Sequence, residues 1–477
     1  MATAAQGPNI LVIMSDEHDA AVTGCYGDQL VATPHLDRLA ASGVTFDACY
    51  CNSPLCVPSR LSFTAGRYVS QVSAWQNSSA LPSDTMPTLP HILRQAGYTP
   101  YLCGKQHYDA RRRYGFEEIP VAPSHNTAHK NGRGARRVVT DQSVNAPNWH
   151  QRAAEFQPAN AGGHLDHDRA VTTAACRFLR DYQTAQNPFF LFAGYLSPHF
   201  PLLAPANLVA RLRGKLPQPI PARPFAEQPY NLQHHQLGFG TMAASAHDIQ
   251  NGRELYWALT EWFDNEVGQL LGALANSAVA DNTIVVYTSD HGENKGDHGL
   301  WWKNCLYDHA ARVPLIVSWP ARWAGGQRRS GACSLVDLVA TIAELAGTES
   351  HESWDGDSLI NYLDSDQADW KDCAISEYYG HNICSGMTMY RSGPWKYIYH
   401  ARIDANHGPQ RELYHMTNDP TEQINLAEDP KQAARIAELH AAMVAELGAE
   451  PDAIEQRSRA ELARGYGEQP GVLAPAC

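Results

Sequence analysis

A mainly parallel α/β sheet covered by helices on both faces, followed by a smaller C-terminal antiparallel sheet with a helix, is the architecture this sequence predicts. Three observations carry it. Short apolar runs rich in strand formers end abruptly in polar residues, amphipathic helical stretches separate them, and the texture changes beyond about residue 372.

The first apolar run, Ile10 to Met14, reads as a buried strand and ends at Ser15-Asp16-Glu17-His18. A helix over Pro87 to Gly97 leads into Tyr98 to Cys103, which opens onto Gly104-Lys105-Gln106-His107. A helix over Arg169 to Gln183 precedes Phe189 to Tyr195 and then Ser197-Pro198-His199. A helix over Glu254 to Asn276 precedes Thr283 to Thr288 and then Asp290-His291-Gly292, and a further helix spans Ser334 to Gly347. In an open α/β sheet the ligand crevice lies beyond the carboxyl ends of the strands, so these four polar segments are predicted to converge.

Residues 110 to 165 read as an excursion from the sheet, with basic clusters at Arg111 to Arg113 and Lys130 to Arg137. The Pro-rich stretch from 201 to 235 reads the same way, both as lid or specificity loops. The division expected is a catalytic α/β domain over 1–372 and a C-terminal α+β subdomain over 373–477. In the second, Ala374 to Tyr379, Met387 to Arg391, Trp395 to Tyr399 and Glu412 to Tyr414 predict strands. Asp429-Pro430 starts a helix whose face carries Ile436, Leu439, Met443, Val444 and Leu447 before Gly448.

With 44% hydrophobic and 18% charged residues over 477 positions, the chain has the material for a large core. A net charge of -13 opposes general attraction to nucleic acid or anionic lipid, so neither is expected as a partner. The 11 cysteines are odd in number and lack paired metal-site spacing, which reads as mostly reduced thiols. Met1 to Pro8 has neither the basic region nor the apolar core of a secretory signal. No apolar run approaches bilayer length, and a cytoplasmic location is expected. The sequon Asn77-Ser78-Ser79 is then incidental. Exposed loops and a sizeable C-terminal part permit a homo-oligomer.

Asp16, Glu17, Asp290 and His291 supply oxygen and nitrogen donors of the kind that hold a divalent cation. Carboxylates favour Ca²⁺, Mg²⁺ or Mn²⁺, and an imidazole shifts the balance toward a transition metal. Cys56-Val57-Pro58-Ser59-Arg60 packs a thiol, a turn-forming proline and a guanidinium into one short stretch, with Gly66-Arg67 downstream. Taken alone, Cys56 reads equally as a small buried apolar residue.

That stretch closely resembles the type I sulfatase signature. Further blocks resemble the same family in the expected order: Pro8-Asn9-Ile10, Gly104-Lys105-Gln106-His107, Ser289-Asp290-His291-Gly292, His298 through Lys303, Arg312-Val313-Pro314, and Asp419-Pro420-x-Glu422-x-x-Asn425-Leu426. The resemblance spans nearly the full chain. It implies an alkaline-phosphatase-like fold and metal-assisted hydrolysis of a small sulfated substrate through a formylglycine made from Cys56 by a maturation enzyme. It further implies that Asp16, Glu17, Cys56, Asp290 and His291 surround one divalent cation, Ca²⁺ or Mn²⁺ with Mg²⁺ as a third choice. Arg60, Lys105 and Lys303 would stabilise the nucleophile or the charge developing in transfer. His199 or Lys303 would protonate the departing alcohol, and His107 would take a proton from the second geminal hydroxyl to expel sulfate.

Two positions depart from the commonest pattern. Glu17 stands where many sulfatases carry a second Asp, and His291 stands where others use Asn. The resulting Asp-His pair resembles the choline sulfatase and phosphonate monoester hydrolase branches. Asn52 to Cys56 and Trp75-Gln76-Asn77 look especially like choline sulfatases, which makes Trp75 and Asn77 candidate substrate-binding residues. An aromatic face at Trp75, Trp301 or Trp302 suits a quaternary ammonium, whereas the basic clusters, if they face the pocket, suit an anionic alcohol. Two other readings stand beside the sulfatase: a phosphonate monoester or phosphodiester hydrolase on the same scaffold, and a catalytically silent metal-binding protein whose Cys56 stays reduced.

Overall fold

The computed structural model describes residues 7–108, 112–122, 136–182 and 187–464. Its strands are β1 (Asn9–Asp16), β2 (Val44–Tyr50), β3 (Thr99–Gly104), β4 (Glu117–Ile119), β5 (Gln157–Pro158), β6 (Phe189–Pro198), β7 (Leu203–Ala204), β8 (Thr283–Ser289), β9 (Arg312–Ser318) and β10 (Gln327–Ser334). The last four are β11 (Cys373–Tyr378), β12 (Met387–Ser392), β13 (Trp395–His400) and β14 (Gln410–His415).

One eight-stranded sheet runs in the order β10-β2-β9-β8-β1-β6-β3-β4. All its pairings are parallel except those of β9, which is antiparallel to both β2 and β8. Every residue of β1, β6 and β8 is buried, as expected of central strands covered on both faces. The mainly parallel α/β sheet read from the sequence is therefore present, with one reversed strand.

The predicted helices are found with shifted starts. The third begins at Ala246 rather than Glu254, because Ser245 and Asp248 form a reciprocal capping box at its N-terminus. The second begins at Gly163, six positions before Arg169, and runs to Asp181. The others span Leu89–Gln95 and Leu335–Leu345.

β11 to β14 form a four-stranded antiparallel sheet, as read from the sequence. Asp429 caps a single turn, Pro430–Gln432, before the helix Ala433–Leu447, which ends at Gly448 with φ 68°. Leu439, Met443 and Leu447 are buried, and Ile436 and Val444 flank them half-buried. A last helix, Pro451–Arg464, was not anticipated, because it buries only one face and carries little apolar periodicity. The apolar core is continuous from Ile10 and Val57 under the large sheet to Ile375, Tyr397 and Leu439. Among the described residues, no helix is long and apolar enough to cross a membrane. The ten described cysteines are all free thiols.

Candidate active site

The site is built where the parallel strands stop. Asp16 is the last residue of β1, and the register places Ser15 opposite Ser289 and Asp16 opposite Pro198, so Asp290 and His199 arrive on either side of it. On the next strand, Lys105 follows Gly104, and its N–H donates to Gly194 O at 2.8 Å. A Cβ on Gly194 would lie 1.8 Å from Lys105 O, so only glycine lets β3 deliver Lys105 across β6. Cys56 begins the helix Cys56–Ala65, whose N-terminal end favours negative charge. The helix stops at Gly66, φ 65°, with the Trp354 ring against its Cα, which accounts physically for the glycine of the Gly66-Arg67 pair.

Arg60, completely buried, clamps the two carboxylates. Its Nε donates to Asp290 Oδ2 at 2.7 Å and its Nη2 to Asp16 Oδ2 at 3.1 Å, while Nη1 reaches Lys105 O and Gln106 Oε1. Ser59 Oγ donates to Asp290 O at 2.6 Å. Lys105 Nζ also pairs with Asp16 Oδ2. Burial opposes ionisation of Asp16, but Lys105 and Arg60 outweigh it and hold the carboxyl well below its usual range. His291 faces Gly292 O through Nδ1 at 3.0 Å. That bond fixes the proton on Nδ1 and turns the Nε2 lone pair toward Cys56 Sγ, 3.2 Å away. Burial, reinforced by Asp16, pushes the Cys56 thiol up to about 12.

On the other side of Asp16 lies a second group. Glu17, φ 66°, accepts from Lys303 Nζ at 3.0 Å, with His199 Nε2 at 3.2 Å, and its N–H donates to Asp290 Oδ1 at 3.2 Å. Burial, with help from nearby Glu293, pushes the Glu17 carboxyl up to about 8 despite Lys303. His199 donates through Nδ1 to Phe200 O and accepts from Lys303 Nζ at 2.9 Å. Burial and Lys303 together hold His199 well below the usual imidazole range, so it is neutral. Burial works against the Lys303 charge, yet Cys56 and Glu17 outweigh it, and Lys303 stays protonated.

These groups form the floor of a cavity of about 470 Å³, onto which Cys56, Asn77, Lys105, His107, His199 and Lys303 open. Asp16, Glu17, Arg60, Asp290 and His291 lie buried beneath. Asn77 Oδ1 also accepts from Val57 N at 3.1 Å, which steadies the first turn of the Cys56 helix. Trp75 lies elsewhere, contrary to its sequence assignment as a substrate-binding residue. Its ring is buried edge-on to Tyr379, its Nε1 donates to Glu461 at 2.6 Å, and Arg457 covers it, so it ties the C-terminal helix to the core. Trp301 is likewise packed on Phe156 and Trp149, and only Trp302 lines the cavity. The described part of the basic clusters also points away: Arg113 pairs with Glu118, Arg136 with Glu455, and Arg137 with Asp141. Arg111 and 130–135 lie outside the described residues.

The sequence reading missed Arg152, His164, Phe200, Phe239 and Asn304, all of which line the cavity. Arg152 and His164 fall inside the excursion flagged over 110 to 165, so the segment was legible although its individual residues were not.

The residues present fit a divalent cation. One ligand atom each from Asp16, Cys56, Asp290 and His291 lies within 4.8 Å of the others, and Asp16, Glu17 and His199 form a second such group. Glu17 falls in the second group, with Asp16 and His199, and Asp16 is common to both groups. The Glu17 carboxyl is buried and shares a side-chain hydrogen bond with Glu293. Arg60 pairs with Asp16 and Asp290, Lys105 with Asp16, and Lys303 with Glu17.

Residues 8–348 match the family model described as Sulfatase, and residues 296–448 match N-sulphoglucosamine sulphohydrolase, C-terminal. The choline-sulfatase of Rhizobium meliloti (strain 1021) is 28% identical over 441 residues, covering 89% of this chain and 83% of its own length. Among solved structures, BT4656 in complex with its substrate D-glucosamine-2-N,6-O-disulfate aligns with a TM-score of 0.75 at 22% identity, covering 94% of this chain and 99% of that one. The phosphonate monoester hydrolase of Agrobacterium radiobacter aligns with a TM-score of 0.73 at 19% identity, covering 92% and 95%. Both structural likenesses are of fold. With a family match over well more than half its length, and with the matching motifs gathered at one sheet edge, this chain belongs to the sulfatase family of sulfuric ester hydrolases.

Proposed function

We propose that this chain hydrolyses a small sulfate monoester to inorganic sulfate and an alcohol, after a maturation enzyme has converted Cys56 to formylglycine. The observation that carries this reading is the placing of Cys56 Sγ 3.2 Å from His291 Nε2 and 3.8 Å from Asp16 Oδ1, on the floor of a cavity walled by Lys105, His199 and Lys303. Asp16, Asp290 and His291, with Glu17 beside them, would hold one Ca²⁺, Mn²⁺ or Mg²⁺, which would supply Lewis-acid polarisation of the sulfate and a more acidic nucleophile. Formylglycine at position 56, once hydrated, would supply the attacking hydroxyl and a second hydroxyl for the release step.

The chain's own residues do the rest. Lys105 and Lys303 meet the sulfate oxygens in a site drier than water, where each charge acts more strongly. Arg60 holds both carboxylates and so positions the metal ligands rather than touching substrate. Lys303 carries a proton toward the cavity while neutral His199 accepts from it, which favours Lys303 as donor to the leaving alcohol and His199 as its partner. His107 lines the same cavity and serves as the base of the release step. The free thiols fit a reducing compartment, and a cytoplasmic location is part of this proposal.

Peptide mass spectrometry across Cys56 on protein made in its own host, paired with turnover of matched aryl sulfate and phosphate diester, tests the reading. Formylglycine with faster sulfate cleavage is the expected result. Faster diester cleavage overturns it in favour of a phosphonate or phosphodiester hydrolase. An unmodified, inactive Cys56 in a protein that still binds metal makes the chain a silent metal-binding protein.

A further inference from the structure

The block His298 to Lys303 takes its course from a helix that begins inside the Pro-rich stretch. That helix is Tyr230–Phe239, with every residue from Asn231 onward buried. It and the turn after it hold the block at three main-chain carbonyls. Gln236 Nε2 donates to His298 O at 3.2 Å, Thr241 Oγ1 to Gly299 O at 2.9 Å, and His235 Nε2 to Lys303 O at 2.7 Å. Phe239, from the same helix, packs on the Trp302 ring with centres 5.0 Å apart.

Lys303 sits between two residues with left-handed backbone, Trp302 at φ 63° and Asn304 at φ 77°. Neither is glycine, so this conformation costs energy and persists only where neighbouring groups fix it. Trp302 O accepts from Asn294 N at 2.7 Å and from Asn294 Nδ2 at 2.8 Å, and Asn304 N donates at 3.2 Å to Pro54 O, two positions before Cys56. Those bonds hold the flanking residues. The bond from His235 is made to the carbonyl of Lys303 itself. Burial pushes the His235 ring down to about 4, so it is neutral, and its single N–H is the one given to Lys303 O. At the far end of the side chain, the ammonium reaches Glu17 at 3.0 Å and His199 at 2.9 Å. A lysine stem is long and flexible, so its head stays on such a pair only while its root is also held.

We propose that His235 is a positioning residue for Lys303: its Nε2–H fixes the Lys303 peptide and thereby keeps the ammonium where it meets the ester and its leaving oxygen. The role of that ammonium rests on the sulfatase reading. Its placing is testable without turnover.

The test is acetylation of the native full chain by acetic anhydride, read at Lys303 and Lys105 by peptide mass spectrometry, with His235→Asn and His235→Gln. The longer amide puts its nitrogen near the place of imidazole Nε2, and the shorter one does not reach Lys303 O. His235→Asn is expected to speed acetylation of Lys303 relative to Lys105 by about five-fold or more, the factor carried by one hydrogen bond to a buried carbonyl, and His235→Gln to keep the native ratio. Should His235→Asn fail to fold, His235→Leu, close to imidazole in volume and without an N–H, takes its place. In formylglycine-bearing protein, His235→Asn should cost about ten-fold more in kcat/KM on phenyl sulfate than on 4-nitrophenyl sulfate, because the poorer leaving group depends more on a delivered proton. An unchanged Lys303 ratio, Lys303 and Lys105 rising together, or His235→Gln behaving as His235→Asn overturns the proposal. So does an equal loss on the two esters. The expected labelling in a formylglycine-bearing protein that turns over no sulfate ester overturns the sulfatase reading and leaves the placing of Lys303 by His235 standing.

Discussion

Arg60 and Asp290 form an ion pair with 2.7 Å between Nε and Oδ2, and both side chains are completely shielded from solvent. The same guanidinium reaches Asp16, so one residue of the Cys56 helix fixes the ends of two strands, β1 and β8. The pairing explains why an arginine stands one helical turn after Cys56: the (i, i+4) spacing puts the guanidinium beneath the thiol.

Arg60→Met removes one partner of this buried cluster and leaves two carboxylates close together without it. Urea unfolding should show a loss of about 3–5 kcal/mol, with turnover abolished. Arg60→Lys should not restore activity, because one ammonium lacks the fork that spans Asp16 and Asp290. Near-native stability of Arg60→Met would show that the two strand ends hold together without the clamp.

An unconverted Cys56 is a protonated thiol at neutral pH, since burial and Asp16 push it up to about 12. Native protein carrying the thiol should therefore resist iodoacetamide at pH 8 and be alkylated there only after unfolding, as read by peptide mass spectrometry. Rapid alkylation of the native protein would mean that the carboxylates do not suppress the thiolate.

Removing metal with a chelator and adding back Ca²⁺ or Mn²⁺ should raise the melting temperature. A cation at about 100 times its dissociation constant contributes about 2.7 kcal/mol. Asp290→Asn and Asp16→Asn should each erase that increment. An increment that survives both substitutions places the cation elsewhere.

Glu377 on β11 is buried, and burial pushes its carboxyl from 4.5 up to about 7, although Ser70 N–H and the Tyr379 hydroxyl donate to it at 3.1 Å each. Because the folded form holds the proton more tightly, its contribution is complete below pH 4.5 and is lost as pH rises through 7. The full span is about 3 kcal/mol. Glu377→Gln should flatten the fall in stability between pH 5 and pH 8 relative to the unsubstituted protein, in urea midpoints. An unchanged slope would mean that Glu377 titrates normally.

The strands that frame the site were legible because each is a short apolar run ended by polar residues, and the pattern of burial on both faces is local information. Cys56, Lys105, His199 and Asp290 were legible as candidates because they begin a helix or directly follow a strand, and Arg60, His107 and Lys303 because they lie in the motif blocks. Trp75 failed because an indole has the same sequence signature whether it packs in a core or lines a cavity, and here Glu461, nearly 400 positions later, claims its N–H. Glu17, read from the sequence as a neighbour of Asp16, is grouped with Asp16 and His199 in the structure, and its pairing with Lys303 was not legible because Lys303 lies 286 positions away.

Taken by itself, the sequence determined the alternation of strand and helix, the nucleophile-bearing helix start and the polar strand ends, because these follow from side-chain period and turn chemistry within a few residues. Tertiary structure alone decided that Arg60 joins Asp16 to Asp290, that Arg152 lies over the Trp302 ring, and that the described basic clusters serve the scaffold. Those outcomes depend on contacts between segments up to hundreds of residues apart, where packing and burial select one partner among many that the sequence permits.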